Sequence, residues 1–427
     1  MTTTRCAVTG SRAGSRTLFR SLVIVGTAIC PALVLRVVGI QLDPIVGLIA
    51  YGGAVVGASF VLAWAAEAAQ IDVSGSLAVA VLAVIAVLPE YAVDLYYAYT
   101  AGHLPEYTQY AAANMTGSNR LLMGLGWPVV VLVSVLVARR TSGRKIDGLE
   151  LEPSNRVEIG FLMIAGVAVF AIPASGRIHI GFGLALLGWF GYYLFKLTRG
   201  EVEEPELVGT AAALGALPDR IRRITVAALF LFAAAVIVTC AKPFADNLIG
   251  AGTQLGIDRF LLVQWLAPLA SEAPEFIIAT IFASRGKGDD AIATLISAKV
   301  NQWTLLIGSL PVAYMLGGGS AAMRLDGRQI EEIVLTAAQT LMGVTLLLGL
   351  RFQRWAAWAL LGLFVVQFPL TSTEGRLALS GVYGVIALVA LIHYRRQVLP
   401  TLAAPFGGRA KRHGGHPHLS IEQVHSR

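Results

Sequence analysis

Two stretches decide how this chain is read: Val87-Leu88-Pro89-Glu90-Tyr91-Ala92-Val93-Asp94 and Ser271-Glu272-Ala273-Pro274-Glu275-Phe276. Each sets a Pro-Glu pair inside an apolar run long enough to cross a bilayer. A charged group near the bilayer centre costs at least about 2.5 to 3.5 kcal/mol on insertion scales, so an acid at that depth is a functional-site hypothesis. The proline removes a backbone donor and interrupts the helix, which turns carbonyl oxygens toward a cavity. Matching interruptions in two halves of a chain point to one central site at the membrane midplane.

The composition fits a membrane setting. The 427 residues are 56% hydrophobic and only 14% charged, and the mean hydropathy of +0.69 is too high for the surface of a water-soluble fold of this length. The formal charge of +7 does not imply nucleic acid, because the basic residues sit in links between apolar runs and read as orientation signals. Cys6, Cys30 and Cys240 have neither metal-ligand spacing nor an even count for a disulfide framework. The basic start followed by the apolar run 22–35 lacks a convincing cleavage site and reads as a retained first helix.

The expected fold is an all-α polytopic membrane protein of about twelve transmembrane helices, each near the roughly 20 residues a bilayer requires. The spans fall at 22–40, 45–69, 76–99, 110–137, 157–172, 179–197, 224–249, 260–283, 291–316, 330–350, 356–370 and 377–393. Residues 1–44 form an N-terminal segment and extra first helix, with 1–21 expected to be disordered. Residues 45–198 form a first half, 199–223 a charged linker and 224–371 a second half; 372–427 form an extra last helix and a basic tail, disordered from Arg395. Arg139, Arg140, Arg144, Lys145 and Arg156, then Arg220, Arg222 and Arg223, then Arg285 and Lys287, then Arg351 and Arg354 all fall on one side if both termini are cytoplasmic; Arg324 and Arg328 fall opposite. The two Pro-Glu spans are then the third and the eighth, cross in opposite directions, and make the halves inverted repeats of five helices each.

On these motifs, residues 57–128 resemble the first alpha repeat of the calcium/cation antiporter superfamily, the sodium/calcium exchanger type, and residues 245–311 resemble its second. Pro89-Glu90, then Asn114-x-x-Gly117-Ser118-Asn119 and Gly124, match the family's Pro-Glu and Gly-Asn-x-x-Gly-Ser-Asn pattern, with Ala113 in place of its first glycine. The resemblance implies that Glu90 and Glu275 are the central cation ligands, with Ser118 and nearby oxygens completing the cage. Several family ligands are missing. Ala86 and Val87, and Ser271 and Glu272, replace the usual Thr and Ser before the Pro-Glu, and Leu122 stands where the first repeat normally offers an amide. With Gly308 as the anchor of the second repeat, Asn301-Gln302-Trp303 replaces Gly-Ser-Asn and Leu306 replaces the acid or amide.

Substitutes for the missing ligands are at hand. Asp94 lies four residues after Glu90 on the same helix face, and Glu272 lies three before Glu275. Four carboxylates with Asn114, Ser118, Asn301 and carbonyls meet the demand of calcium for about six to eight oxygens. Lys299 brings a positive charge to the facing hairpin, where it serves as a charge partner, stands in for a bound sodium ion, or exchanges a proton. Arg120 reads as a structural charge partner.

The expected function is a secondary-active cation antiporter that exchanges Ca2+ or another cation for Na+ or H+ by alternating access. The alternative is a Na+/H+ antiporter on the same fold; a different class is a cation-binding membrane regulator that does not transport. An enzyme is not expected, since the chain shows no nucleophile with its base, no phosphate loop and no His or Cys metal motif. No cofactor is expected beyond the transported ions. The partners are inorganic cations and the lipid bilayer, not nucleic acid, in the plasma (inner) membrane.

Overall fold

A computed structural model describes residues 5–40, 42–72, 88–143, 145–198, 207–370 and 372–407, with backbone alone over 5–15. Residues 1–4, 76–87 of the third expected span with Ala86 and Val87, Arg144, the acidic connector 201–206 and the tail from 408 lie outside the described residues. Eight helices among the described residues are long and apolar enough to cross a membrane. The fold is an all-α membrane fold.

Helix α1 (Arg5–Val38) leads into α2 (Pro44–Ala69), which starts with proline at its first turn while Asp43 accepts a hydrogen bond from the Ile45 N–H at 3.0 Å. Disorder was expected over 1–21, yet the helix already runs from Arg5. Extending a helix that an apolar span has nucleated costs far less than starting one.

The Pro-Glu helix α3 (Leu88–Ala101) is followed by α4 (Thr108–Leu121), a single wide π turn (Leu122–Gly126) and α5 (Trp127–Ser142). Then come α6 (Arg156–Ala168), the short α7 (Ala171–Ser175) and α8 (Ile180–Leu197). The 199–223 linker contains α9 (Gly209–Gly215) and the start of α10 (Asp219–Leu255).

The second half repeats the plan. Helix α11 (Arg259–Ser284) carries the second Pro-Glu, and α12 (Gly288–Asn301), a second π turn (Gln302–Leu306) and α13 (Ile307–Leu316) repeat the helix, wide turn, helix pattern of α4 and α5. After them come α14 (Gly327–Leu346), α15 (Arg354–Val366), α16 (Thr373–His393) and α17 (Arg395–Ala403). The tail from Arg395 is therefore helical over α17, not disordered. It docks on α6, where Arg156 donates to Thr401 Oγ1 at 3.0 Å and Gly160 leaves room for the Thr401 carbonyl.

Two small antiparallel sheets tie the halves together. Strand β1 (Gly148–Glu150), after α5, pairs with β4 (Arg351–Gln353), before α15; β2 (Arg177–His179), before α8, pairs with β3 (Ala322–Arg324), after α13. Exchanging the halves turns one sheet into the other, as a two-fold axis in the membrane plane requires. Arg328, which charge counting set on the opposite side, has a local acid there: its Nη1 lies 2.6 Å from Asp258 Oδ2.

The long helices α2 and α10 pack side by side. A Cβ at Gly47 would lie 2.1 Å from Asn247 Oδ1, so the glycine leaves room for the Asn247 side chain between the two helices. Both ends of the pair are fastened. Gln254 binds Asp43 at one end, and at the other Arg222 holds both oxygens of Asp72 at 2.7 Å while Arg223 adds a bond at 2.9 Å. The two guanidiniums pull the Asp72 carboxyl down to about 2.

Candidate functional site

The second Pro-Glu was expected to break its helix, but α11 is continuous through both Pro268 and Pro274. Their effect is local. Pro268 has no N–H to give the Gln264 carbonyl one turn back, and Gly117 of α4 packs on that carbonyl so closely that a Cβ would come within 1.7 Å of the oxygen. The crossing of α4 and α11 at Gly117 brings the two halves together at the depth of the acids. The hydroxyl of Ser271 donates back to the Ala267 and Pro268 carbonyls at 3.3 Å.

Glu90, Glu272 and Glu275 converge on one cavity of about 30 Å³, lined also by Ser59, Ala63, Pro89, Ser271 and Pro274. That volume holds a water molecule or a cation stripped of its shell. Glu90 and Glu272 are 5% and 2% exposed. Gln302 Nε2 donates to Glu272 Oε1 at 2.7 Å, while Glu272 Oε2 and Glu90 Oε1 have no hydrogen-bond partner among the described residues. Ser118 and Gln302 are the neutral side chains facing Glu90. Among the described residues no ion pair reaches any of the three carboxylates. Buried carboxyl groups with open oxygens can take either a cation or a proton.

The structure separates the remaining predicted residues from this cavity. Asp94 is wholly buried one turn along α3, facing Asn114 and Tyr97; its two oxygens, both polar atoms of Asn114 and the Tyr97 hydroxyl are unpartnered among the described residues. Asn301 is occupied elsewhere, since its Oδ1 accepts from the Tyr91 hydroxyl at 2.8 Å. Among the described residues Lys299 pairs with no carboxylate: its Nζ donates to the Asn119 carbonyl at 2.6 Å and to Asn119 Oδ1 at 2.8 Å, over the Trp303 ring.

The wide turns correct the register of the second repeat. Leu122 and Gln302 each open a π turn, so Asn119 answers to Lys299, Ser118 to Ala298 and Leu122 to Gln302. The amide absent at Leu122 is thus present in the other half as Gln302, which the Gly308 alignment missed. Gly308 serves another purpose, packing on the Gly183 carbonyl of α8. Ser59 was also missed; as a small polar residue in a stripe of small residues it carried no separate signal.

A second buried polar cluster lies beyond α4. Arg120 Nη2 is 2.5 Å from Glu332 Oε2, Arg120 Nη1 donates to Gln367 Oε1 at 3.1 Å, and its guanidinium lies 5.0 Å from the Trp265 ring centroid. Arg376 lies 3.5 Å from Glu332 and 3.6 Å from Glu331, and Gln264 bridges Glu332 and Thr116. This confirms Arg120 as a structural charge partner, with Glu332 as its acid.

Comparison with known proteins agrees with this architecture. The model of the family described as sodium/calcium exchanger protein matches residues 44–199 and 225–371. The crystal structure of an H+/Ca2+ exchanger, CAX, is 38% identical, with 92% of this chain and 98% of that chain covered and a TM-score of 0.86. Native YfkE is 13% identical over 86% of this chain and 99% of its own, with a TM-score of 0.60. A selenium-substituted form, described as a Ca2+/H+ antiporter protein, is 15% identical over the same shares with a TM-score of 0.58. These last two share the fold. No curated protein matches the sequence.

Proposed function

The chain belongs to the sodium/calcium exchanger protein family, a family of cation antiporters, and from that premise we propose that it exchanges Ca2+ for H+ across the plasma (inner) membrane, with both termini cytoplasmic. One observation carries the reading: three carboxylates from two inverted halves share a cavity the size of one bare ion, with oxygens left open. Glu90, Glu272 and Glu275 are the cation ligands, with Ser59, Ser118 and Ser271 as neutral oxygens. Gln302 holds Glu272 in place. Asp94 and Asn114 extend the negative field from one turn away, and Asn301 supports the site through Tyr91.

Exchange follows from sharing these ligands. Ca2+ arriving from one side needs the carboxylates ionised, and protons arriving from the other side take the same oxygens and release it. A shift of the helices around the site moves its opening from one face to the other. The likeness to the exchanger named for H+ and Ca2+, together with the ligands lost relative to sodium-coupled members, favours H+ over Na+ as the counter-ion.

The test is Ca2+ uptake into proteoliposomes holding the purified chain, driven by a pH step or by a Na+ gradient. Uptake driven by pH and lost in Glu90→Gln and Glu275→Gln is expected. Uptake driven only by Na+ reassigns the counter-ion, pH-driven Na+ uptake makes the chain a Na+/H+ antiporter, and no gradient-driven flux of either ion removes transport.

A further inference from the structure

Lys299 is wholly buried and held by neutral oxygens instead of a counter-ion. An ammonium has three N–H groups. The Asn119 carbonyl at 2.6 Å, Asn119 Oδ1 at 2.8 Å and the Trp303 face, whose centroid is 5.0 Å away, use all three. Among the described residues no ion pair includes Lys299. Carbonyl and amide oxygens around a dehydrated charge are also how proteins hold alkali cations in place of their water.

The repeat gives the position a second meaning. Asn119 and Lys299 each sit three residues before a π turn, so the two-fold brings equivalent positions face to face. One half supplies the oxygens and the other supplies the cation. The ammonium is near enough to act on Glu90 and Glu272.

We infer that Lys299 is a tethered monovalent cation: its ammonium fills a cation position formed by Asn119 and Trp303, and removing the side chain leaves a site that takes Na+ or K+. The position itself stands on geometry; its consequence for transport rests on the antiporter reading. With Glu90, Glu272 and Glu275 ionised, Asp94 carrying a proton and Lys299 an ammonium, two negative charges remain around the cavity, which one divalent ion neutralises. The native chain then needs no alkali ion bound beside Ca2+. Without the ammonium one positive charge is missing, and a free alkali ion supplies it.

The experiment compares melting of the purified full-length chain in NaCl, KCl and N-methylglucamine chloride at equal ionic strength. Lys299→Ala opens the space and removes the charge; Lys299→Met removes the charge but keeps the space filled. A melting temperature several degrees higher in Na+ or K+ than in N-methylglucamine is expected for Lys299→Ala alone, because an ion that binds only the folded state stabilises it. Identical melting of Lys299→Ala in all three salts overturns the inference, and so does an alkali-ion response of equal size in the unmutated chain or in Lys299→Met. If Lys299→Ala does not fold, Lys299→Ser is taken through the same series under the same criteria. Melting is read without flux, so an alkali-ion response in Lys299→Ala, with no Ca2+ flux in the unmutated chain, would remove the antiporter reading and leave this site standing.

Discussion

Around Arg120, two arginines and two glutamates from α4, α14 and α16 neutralise one another inside the bundle. Around Glu90, three glutamates from α3 and α11 share a cavity, and their nearest ammonium is bonded to an asparagine. Both clusters are buried and both join the halves of the chain. The first is complete as it stands, so its job is to hold α4 against α14 and α16. The second leaves carboxylate oxygens open to a shared cavity, and this is the ground on which we propose it as the cation site. Burial alone does not distinguish a strut from a site; whether the charges balance does.

The contrast breaks most clearly at the carboxylates. Glu275→Gln or Glu90→Gln should lower Ca2+ flux by at least about 100-fold, since losing a charged ligand costs around 3 kcal/mol. Melting temperature in the absence of Ca2+ should hold or rise, because an unpaired buried charge has been removed. Glu332→Gln should do the reverse. It strands Arg120 in the interior at a cost of about 3 to 5 kcal/mol, read as a large fall in melting temperature. Pairing it with Arg120→Met should recover most of that loss. Equal effects of Glu275→Gln and Glu332→Gln on both readouts would erase the distinction.

Two smaller effects sharpen it. Gln302→Leu leaves Glu272 Oε1 without its donor and should weaken apparent Ca2+ affinity by roughly ten-fold, about 1 to 2 kcal/mol, measured as a shift in half-saturating Ca2+. Asp72→Asn should cost about 1 kcal/mol of stability, with no change in half-saturating Ca2+. The folded Asp72 carboxyl is pulled down to about 2 from its ordinary 3.8. Its contribution is therefore complete above that ordinary value and fades as pH falls toward about 2. An acid melting series on both chains should show their difference shrinking over that window.

The fold was legible because apolar runs of bilayer length leave few alternatives, and the meeting of Glu90 and Glu275 at one cavity was legible because a Pro-Glu in each inverted half points to a shared centre. The second repeat was harder. Each π turn shifts the helical phase, so spacing from a glycine misleads, and Gly308 is a glycine for the sake of Gly183 across the helix contact. Gln302 was hidden by that shift, and the bond from Tyr91 to Asn301 Oδ1 had no sign in the sequence. Glu332 gave no warning because its partner Arg120 lies in the other half of the chain, and one sequence carries no sign of such pairing. The helices at 5–21 and after Arg395 were missed for a different reason: polar sequence reads as loose, but a helix already formed next door, or a docking groove such as that at Gly160, holds it.

The two small sheets bear on how the protein is made. Gly148 meets Gln353 and Arg177 meets Arg324, so neither strand of the first half finds its partner until most of the second half has left the ribosome. Loop closure over such a span is slow and local contacts cannot replace it. The first half must wait in the bilayer with its acids inserted and its links unpaired. A chain stopped after α8 would lack the helix that Gly117 packs on and both partner strands, and would offer the quality-control proteases of its membrane an unfinished target.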